Sequence, residues 1–188
     1  MGDLGRPQAA RVTDALLGAA IKALANQGYE HATIAAIAAE AKTSKQAVYR
    51  RWRDKPALMA AAVKEALGKA NQSPPQRGSV ALDLRICLQN TTRTLQETPL
   101  GEALRALVAV RHLPELGSVL NEAEDDRRLI MRQIFIATPF EAGMEIRIDL
   151  LLGMIYFRRL LRGTPVSNDD IDTAIYLVLG LNPPRSVP

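Results

Sequence analysis

Apolar residues recur at helical spacing along most of the chain. One stripe is made by residues four apart: Val12, Leu16, Ala20 and Leu24. These positions share one face of a helix, which we place at about 8–25. Gly28 is expected to end it, because a helix terminus often needs a residue at positive φ. No strand-like alternation occurs, so the predicted fold class is all-α.

The same periodicity, read with capping residues and prolines, predicts about nine helices in two modules. A three-helix helix-turn-helix domain is expected over 8–53, and a fourth helix over 55–70 connects it to the rest. Residues 71–182 follow a polar joint at 71–76 and form the second module, which is also helical. Its helices are expected near 78–96, 100–112, 117–136, 145–162 and 168–180.

The segment from Thr33 to Lys55 has the pattern of a helix-turn-helix with a basic second helix. Two short apolar-periodic segments flank a polar break at 42–44. In such a motif the second helix enters the major groove of duplex DNA, and flanking groups hold phosphates. The predicted DNA-binding residues are Thr33, Thr43, Ser44, Lys45, Gln46, Tyr49, Arg50, Arg51 and Lys55.

Within this set, Lys45 and Gln46 lie in the first turn, where Lys suits guanine and Gln suits adenine. The Ser44 hydroxyl and nearby backbone amides can meet a phosphate at the positive end of the helix dipole. Arg51 and Lys55 are interpreted as clamps on the DNA backbone. The alternative is a solvated basic helix in an ordinary bundle, with Tyr49 half-buried.

The distribution of charge supports the first interpretation. The net charge is +4 overall, yet residues 1–72 carry +5 and residues 73–188 carry −1. A basic module beside a near-neutral one is what a nucleic-acid reader with a separate regulatory domain requires. No long uncharged apolar run or N-terminal signal region is found, and Cys87 is the single cysteine. These features predict a cytoplasmic protein without a membrane partner.

Catalytic chemistry finds no support in the sequence. His31 and His112 are isolated, and no Cys/His cluster has metal-ligand spacing. The sequence has no Gly-rich loop that follows a strand and could bind a phosphate. The chain is therefore predicted not to be an enzyme, with no catalytic residue, metal or cofactor.

The C-terminal helices are more apolar than one neighbour can cover. Residues 146–161 leave hardly any polar face, and 171–178 form a second stripe at i, i+3, i+4 and i+7. We expect a homodimer interface here, with burial in a monomer core as the alternative. The predicted interface residues are Leu150, Leu151, Met154, Ile155, Arg158, Ile171, Ile175 and Val178.

The N-terminal third resembles the DNA-binding domain of the tetracycline-repressor (TetR) family. The matching features are Gly28-Tyr29, Ile37-Ala38, Ser44-Lys45, Val48-Tyr49, Trp52 and Lys55. The segment 147–179 weakly resembles the last two helices of the same family, which usually build a four-helix dimer interface. The resemblance implies a homodimeric transcription regulator, most often a repressor. A small molecule bound in the C-terminal domain would release it from DNA. The alternative is a helix-turn-helix protein that acts as an activator or as an assembly module without ligand control.

The chain departs from the family pattern at three positions of the motif. Lys42 stands where Gly is frequent and the turn can need positive φ. Gln46 replaces a frequent Gly, and Arg51 replaces a frequent His.

For the unknown effector the sequence gives only weak pocket candidates: Arg111, His112, Met131 and Gln133. For the first two, capping of a helix end is the competing interpretation.

Overall fold

The chain is helical throughout the part that the computed structural model describes, residues 5–70, 75 and 77–181. The elements are α1 (Gly5–His31), α2 (Ile34–Glu40), α3 (Lys45–Tyr49), α4 (Lys55–Ala70), α5 (Val80–Glu97), α6 (Pro99–Val108), α7 (Pro114–Phe135), α8 (Met144–Tyr156), a π-helical segment (Phe157–Arg162) and α9 (Asn168–Leu179). These described residues contain no strand, and the predicted all-α class is confirmed.

The first of two compact units combines residues 5–70 with residues 98–123. It contains α1 to α4, α6 and the first part of α7, and α6 packs against both α1 and α4. Its core is made of fully buried side chains from these helices, including Leu16, Leu24, Ile37, Val48, Leu58, Met59 and Leu107. The N-terminal helices therefore share one core with α6.

The second unit holds residues 77–97 and 124–181. In it α5 packs against α8 and α9, and α8 packs against α9. The fully buried side chains include Leu84, Leu88, Phe135, Ile148, Leu151 and Ile155. Of the joint expected at 71–76, only Pro75 lies among the described residues.

Several helix boundaries differ from the sequence-based prediction, and two of them flank the turn between α6 and α7. The helix expected over 100–112 ends at Val108, because the next residues form tight turns in which the amides of Val110 and Leu113 donate three residues back. The following helix begins at Pro114 instead of 117, since proline is tolerated in the first turn. Gly117 is required there: a Cβ atom on it would lie 2.5 Å from the Arg111 carbonyl oxygen.

No helix in the described ranges combines the length and apolar character needed to cross a membrane.

Candidate nucleic-acid interface and apolar face

The helix-turn-helix is built by two capped helices and a tight turn. The Thr33 hydroxyl accepts a hydrogen bond from the Ala36 amide at the start of α2, and the Ser44 hydroxyl accepts one from the Ala47 amide at the start of α3, both at 3.2 Å. Such caps satisfy amides that a helix start leaves unpaired. Between the helices, Lys42 has φ of 52°, which is the positive φ expected at this position.

Helix α3 has one buried side and one exposed side. Ala47 and Val48 are buried under it. On the other side are exposed polar residues: Lys45, Gln46, Tyr49 and Arg50. Tyr49 is 55% exposed. None of these four side chains forms a hydrogen bond or ion pair within the described residues. Thr43 is half-buried, and its backbone amide donates a hydrogen bond to the Ala38 carbonyl. The exposed groups are therefore available to an external partner.

Arg51 is held by hydrogen bonds within the protein. Its guanidinium donates to the Thr13 hydroxyl at 3.0 Å, to the Ala47 carbonyl at 2.7 Å and to the Ala9 carbonyl at 3.5 Å. Arg51 thus joins the end of α3 to α1. The contacting positions in α1 lie far away in the sequence, so no local pattern could reveal them.

Lys55 is also held by the protein. Its Nζ donates to the Tyr29 carbonyl at 2.9 Å and to the Glu30 carbonyl at 3.5 Å, and it lies 4.2 Å from the centroid of the Tyr29 ring. Gly28, with φ of 74° and ψ of 173°, breaks the regular helix immediately before these carbonyls. Lys55 therefore connects the start of α4 to the end of α1. The sequence-based interpretation, a contact with the DNA backbone, did not include this contact. Arg53, next to α4, pairs with Asp54 and Glu115.

A long apolar face is exposed on the second unit. Its side chains come from α8, the π-helical segment and α9, and they are 51–72% exposed: Ile146, Leu150, Phe157, Leu161 and Leu177. Between α8 and α9 lies a groove of about 550 Å³, lined by apolar residues and Arg147. We call these five side chains and the groove the apolar face.

Four of the predicted interface residues do not reach this face. Leu151, Ile155, Ile171 and Ile175 are at most 1% exposed, because they pack inside their own unit. Leu150 is exposed and Met154 and Val178 are half-buried, whereas Arg158 pairs with Asp170 at 2.6 Å. Ile146, Phe157, Leu161 and Leu177 were absent from the predicted interface set. Because 146–161 leaves hardly any polar face, its sequence did not show which side faces outward.

The four weak pocket candidates are divided between the two compact units. Arg111 and His112 are exposed in the turn after α6, where the arginine donates to Asn121 at 3.2 Å. Met131 is buried in the other unit, and Gln133 is exposed two residues later.

The second unit contains a partly buried polar network that the sequence did not predict. Arg127 donates to the Tyr156 hydroxyl at 2.8 Å, and that hydroxyl donates to Glu124 at 2.7 Å. Burial raises the pKa of Tyr156 to about 12, opposed by Arg127. Burial, reinforced by Asp83, raises the pKa of the Cys87 thiol to about 11, so this thiol is protonated at neutral pH. No cluster of metal-ligating side chains occurs in the part of the chain described.

Comparison with known proteins identifies the family and the fold. Residues 16–62 match the family model of bacterial regulatory proteins of the tetR family, and residues 74–178 match that of the tetracyclin repressor-like C-terminal domain. Mb1581 of Mycobacterium bovis, an HTH-type transcriptional regulator, is 30% identical over 178 residues, 90% of this chain and 86% of the relative.

Two solved structures share the architecture. A transcriptional regulator of Rhodococcus aligns with a TM-score of 0.73 at 18% identity, covering 89% of this chain and 94% of that one. NalD of Pseudomonas aeruginosa aligns with a TM-score of 0.67 at 17% identity, covering 93% and 96%. The chain belongs to the TetR family of transcriptional regulators, and its helix-turn-helix is a DNA-binding module.

Proposed function

We propose that the protein is a homodimeric repressor that presents α3 twice to a palindromic operator and leaves it when a small molecule binds. The observation that carries this proposal is the combination of an exposed basic side on α3 with an unpartnered apolar face on the second unit. NalD is described as the secondary repressor of a multidrug efflux pump, which supports the same direction of control.

Dimerisation explains why so much apolar surface is exposed. Five large side chains on neighbouring elements are more than half exposed, and three of them line one groove. Extended exposed apolar surface of this kind marks interaction sites. A two-fold axis buries the same face on both copies. It also presents two copies of α3, as a palindromic DNA site requires.

The base-reading role is assigned to the exposed end of α3. Lys45 and Gln46 lie at its N-terminal turn with no partner among the described residues, and Tyr49 and Arg50 follow one turn later. Gln46 can pair with adenine, and Lys45 can pair with guanine or a phosphate. Thr33, Thr43 and Ser44 are left to contact phosphates beside the helix starts.

Selection of bound fragments from genomic DNA by the purified protein tests this assignment. We expect a palindromic site whose affinity falls steeply with salt. Gln46→Ala should bind that site with relaxed base preference, by about 1–3 kcal/mol at one position of each half-site. Lys45→Ala should lower the salt slope, whereas the matched charge removal Lys69→Ala, at the end of α4, should not. Equal binding of all sequences by the wild type would refute the proposal.

Repression and release need separate experiments. A reporter driven from a promoter overlapping the selected site should lose expression when the protein is produced, and increased expression would contradict repression. For release, the Arg127–Tyr156–Glu124 network supplies partly buried hydrogen-bonding groups in the second unit, and ligand sites use a few such groups to orient a bound molecule. We expect a compound library to contain molecules that dissociate the protein from operator DNA and that act more weakly on Tyr156→Phe. Equal potency on that variant would exclude the network from the effector site.

A further inference from the structure

We propose that Arg51 is a positioning residue that sets the orientation of the recognition helix α3 on α1. Its guanidinium bridges the two helices: it donates to Ala47 on α3 and to Thr13 and Ala9 on α1. The Thr13 hydroxyl in turn donates to the Ala9 carbonyl at 3.0 Å. Arg51, Thr13 and the two carbonyls therefore form one connected hydrogen-bonded group, which we call the Arg51 bridge.

Helix α3 needs such a support because it is very short. It spans five residues, Lys45–Tyr49, and buries only Ala47 and Val48. A helix of this length has little stability of its own, so tertiary contacts determine where it lies. The side chains that would read DNA project from the same turn-and-a-half of helix. A small rotation would move all of them together, and recognition groups must be held to within a fraction of an ångström.

The competing role is a direct phosphate contact by Arg51, and the two roles predict different results. Loss of a phosphate contact lowers the slope of log affinity against log salt by about 0.9, and a lysine restores most of it. Loss of a positioning group weakens operator binding with little change in slope. Lysine does not restore it, because an ammonium lacks the planar fork that joins several acceptors. If Arg51 positions α3, the Thr13 hydroxyl is as important for operator binding as Arg51. A direct phosphate contact by Arg51 would not require Thr13.

The experiment uses the full-length protein and the operator duplex obtained by selection, and it rests on the DNA-binding function proposed above. Affinities for operator and for random duplex are measured over a series of salt concentrations for wild type, Arg51→Gln, Arg51→Lys, Thr13→Val and Thr13→Ser. We expect about tenfold weaker operator binding for Arg51→Gln, Arg51→Lys and Thr13→Val, with wild-type slopes. Thr13→Ser keeps the hydroxyl and should bind like wild type.

The double variant Thr13→Val/Arg51→Gln should be no weaker than Arg51→Gln alone, since both changes break the same bridge. Hydrogen exchange without DNA should show faster exchange of the α3 amides in both single variants, at a temperature where circular dichroism shows them folded. A slope reduced by about 0.9 in Arg51→Gln, with rescue by lysine and unchanged binding of Thr13→Val, would overturn the proposal. A wild type that prefers no DNA sequence would refute the operator function, and the exchange measurement would still decide the positioning role.

Discussion

Leu150 and Leu151 are neighbours in the sequence with opposite environments, and this pair tests the dimer most directly. Leu150 is 59% exposed on the apolar face, whereas Leu151 is completely buried. We predict that Leu150→Glu yields a folded monomer. The control Leu151→Ala should instead destabilise the protomer itself, because it opens a cavity in the core of the second unit.

The magnitudes follow from burial. Burying a whole leucine side chain contributes about 1.5–3 kcal/mol, so the exposed part of Leu150 would contribute about 1–2 kcal/mol in each copy. A two-fold interface contains Leu150 from both copies, so the total contribution to the free energy of association is about 2–4 kcal/mol. Its loss would raise the dimer dissociation constant by about 30- to 700-fold. Burying an unpaired carboxylate weakens association further. For Leu151→Ala the expected loss in unfolding free energy is about 2–5 kcal/mol.

Sedimentation equilibrium over a concentration series gives the mass, and urea unfolding gives the stability of the protomer. Leu150→Glu should sediment at the monomer mass of 20.5 kDa with far-ultraviolet circular dichroism like wild type. Operator binding should be lost with the dimer. A Leu150→Glu protein that stays dimeric at wild-type affinity would show that the apolar face is not the interface.

Three further predictions concern single residues. Gly28→Ala should lower the unfolding free energy by about 1–3 kcal/mol in urea denaturation, because φ of 74° and ψ of 173° suit only glycine. A Cβ there would meet nothing within 4 Å, so an unchanged midpoint would refute the backbone argument. Alkylation of Cys87 in the folded protein should keep accelerating up to about pH 11, since burial raises its pKa to about 11; a plateau near pH 9 would contradict this. Hydrogen bonds from Arg132 and a second arginine lower the pKa of Glu145 to about 2. Its pairing therefore stabilises the fold above pH 4.5 and is lost as the pH falls towards 2, so acid titration of Glu145→Gln should show a smaller loss of stability over that range.

Local signals made the helix-turn-helix predictable. Caps at Thr33 and Ser44 act within four residues of their partners, and the buried positions on α3 follow from spacing alone. Such features depend on neighbours in the sequence, so one chain is enough to find them.

Tertiary contacts determine what the sequence did not predict. The sequence suggested that Arg51 and Lys55 are free cations. In the structure Arg51 binds groups of α1 that lie 38 and 42 positions earlier, and Lys55 binds groups of α1 that lie 25 and 26 positions earlier. The sequence also did not show which side of α8 is exposed, because a helix that is apolar nearly all round has no polar face to mark the solvent side. Charge and hydropathy identify which segments matter, and packing decides what each side chain does.

The packing of α6 against α1 and α4 has a practical consequence for protein engineering. A fragment ending at Ala70 would contain the whole helix-turn-helix but would expose the surface that α6 covers. Exchange of C-terminal domains between relatives meets the same obstacle, because residues 98–123 share a core with the DNA-binding helices while residues 77–97 do not. No single crossover point separates the two compact units. A working chimaera therefore has to carry α6 and the beginning of α7 from the donor of its DNA-binding helices.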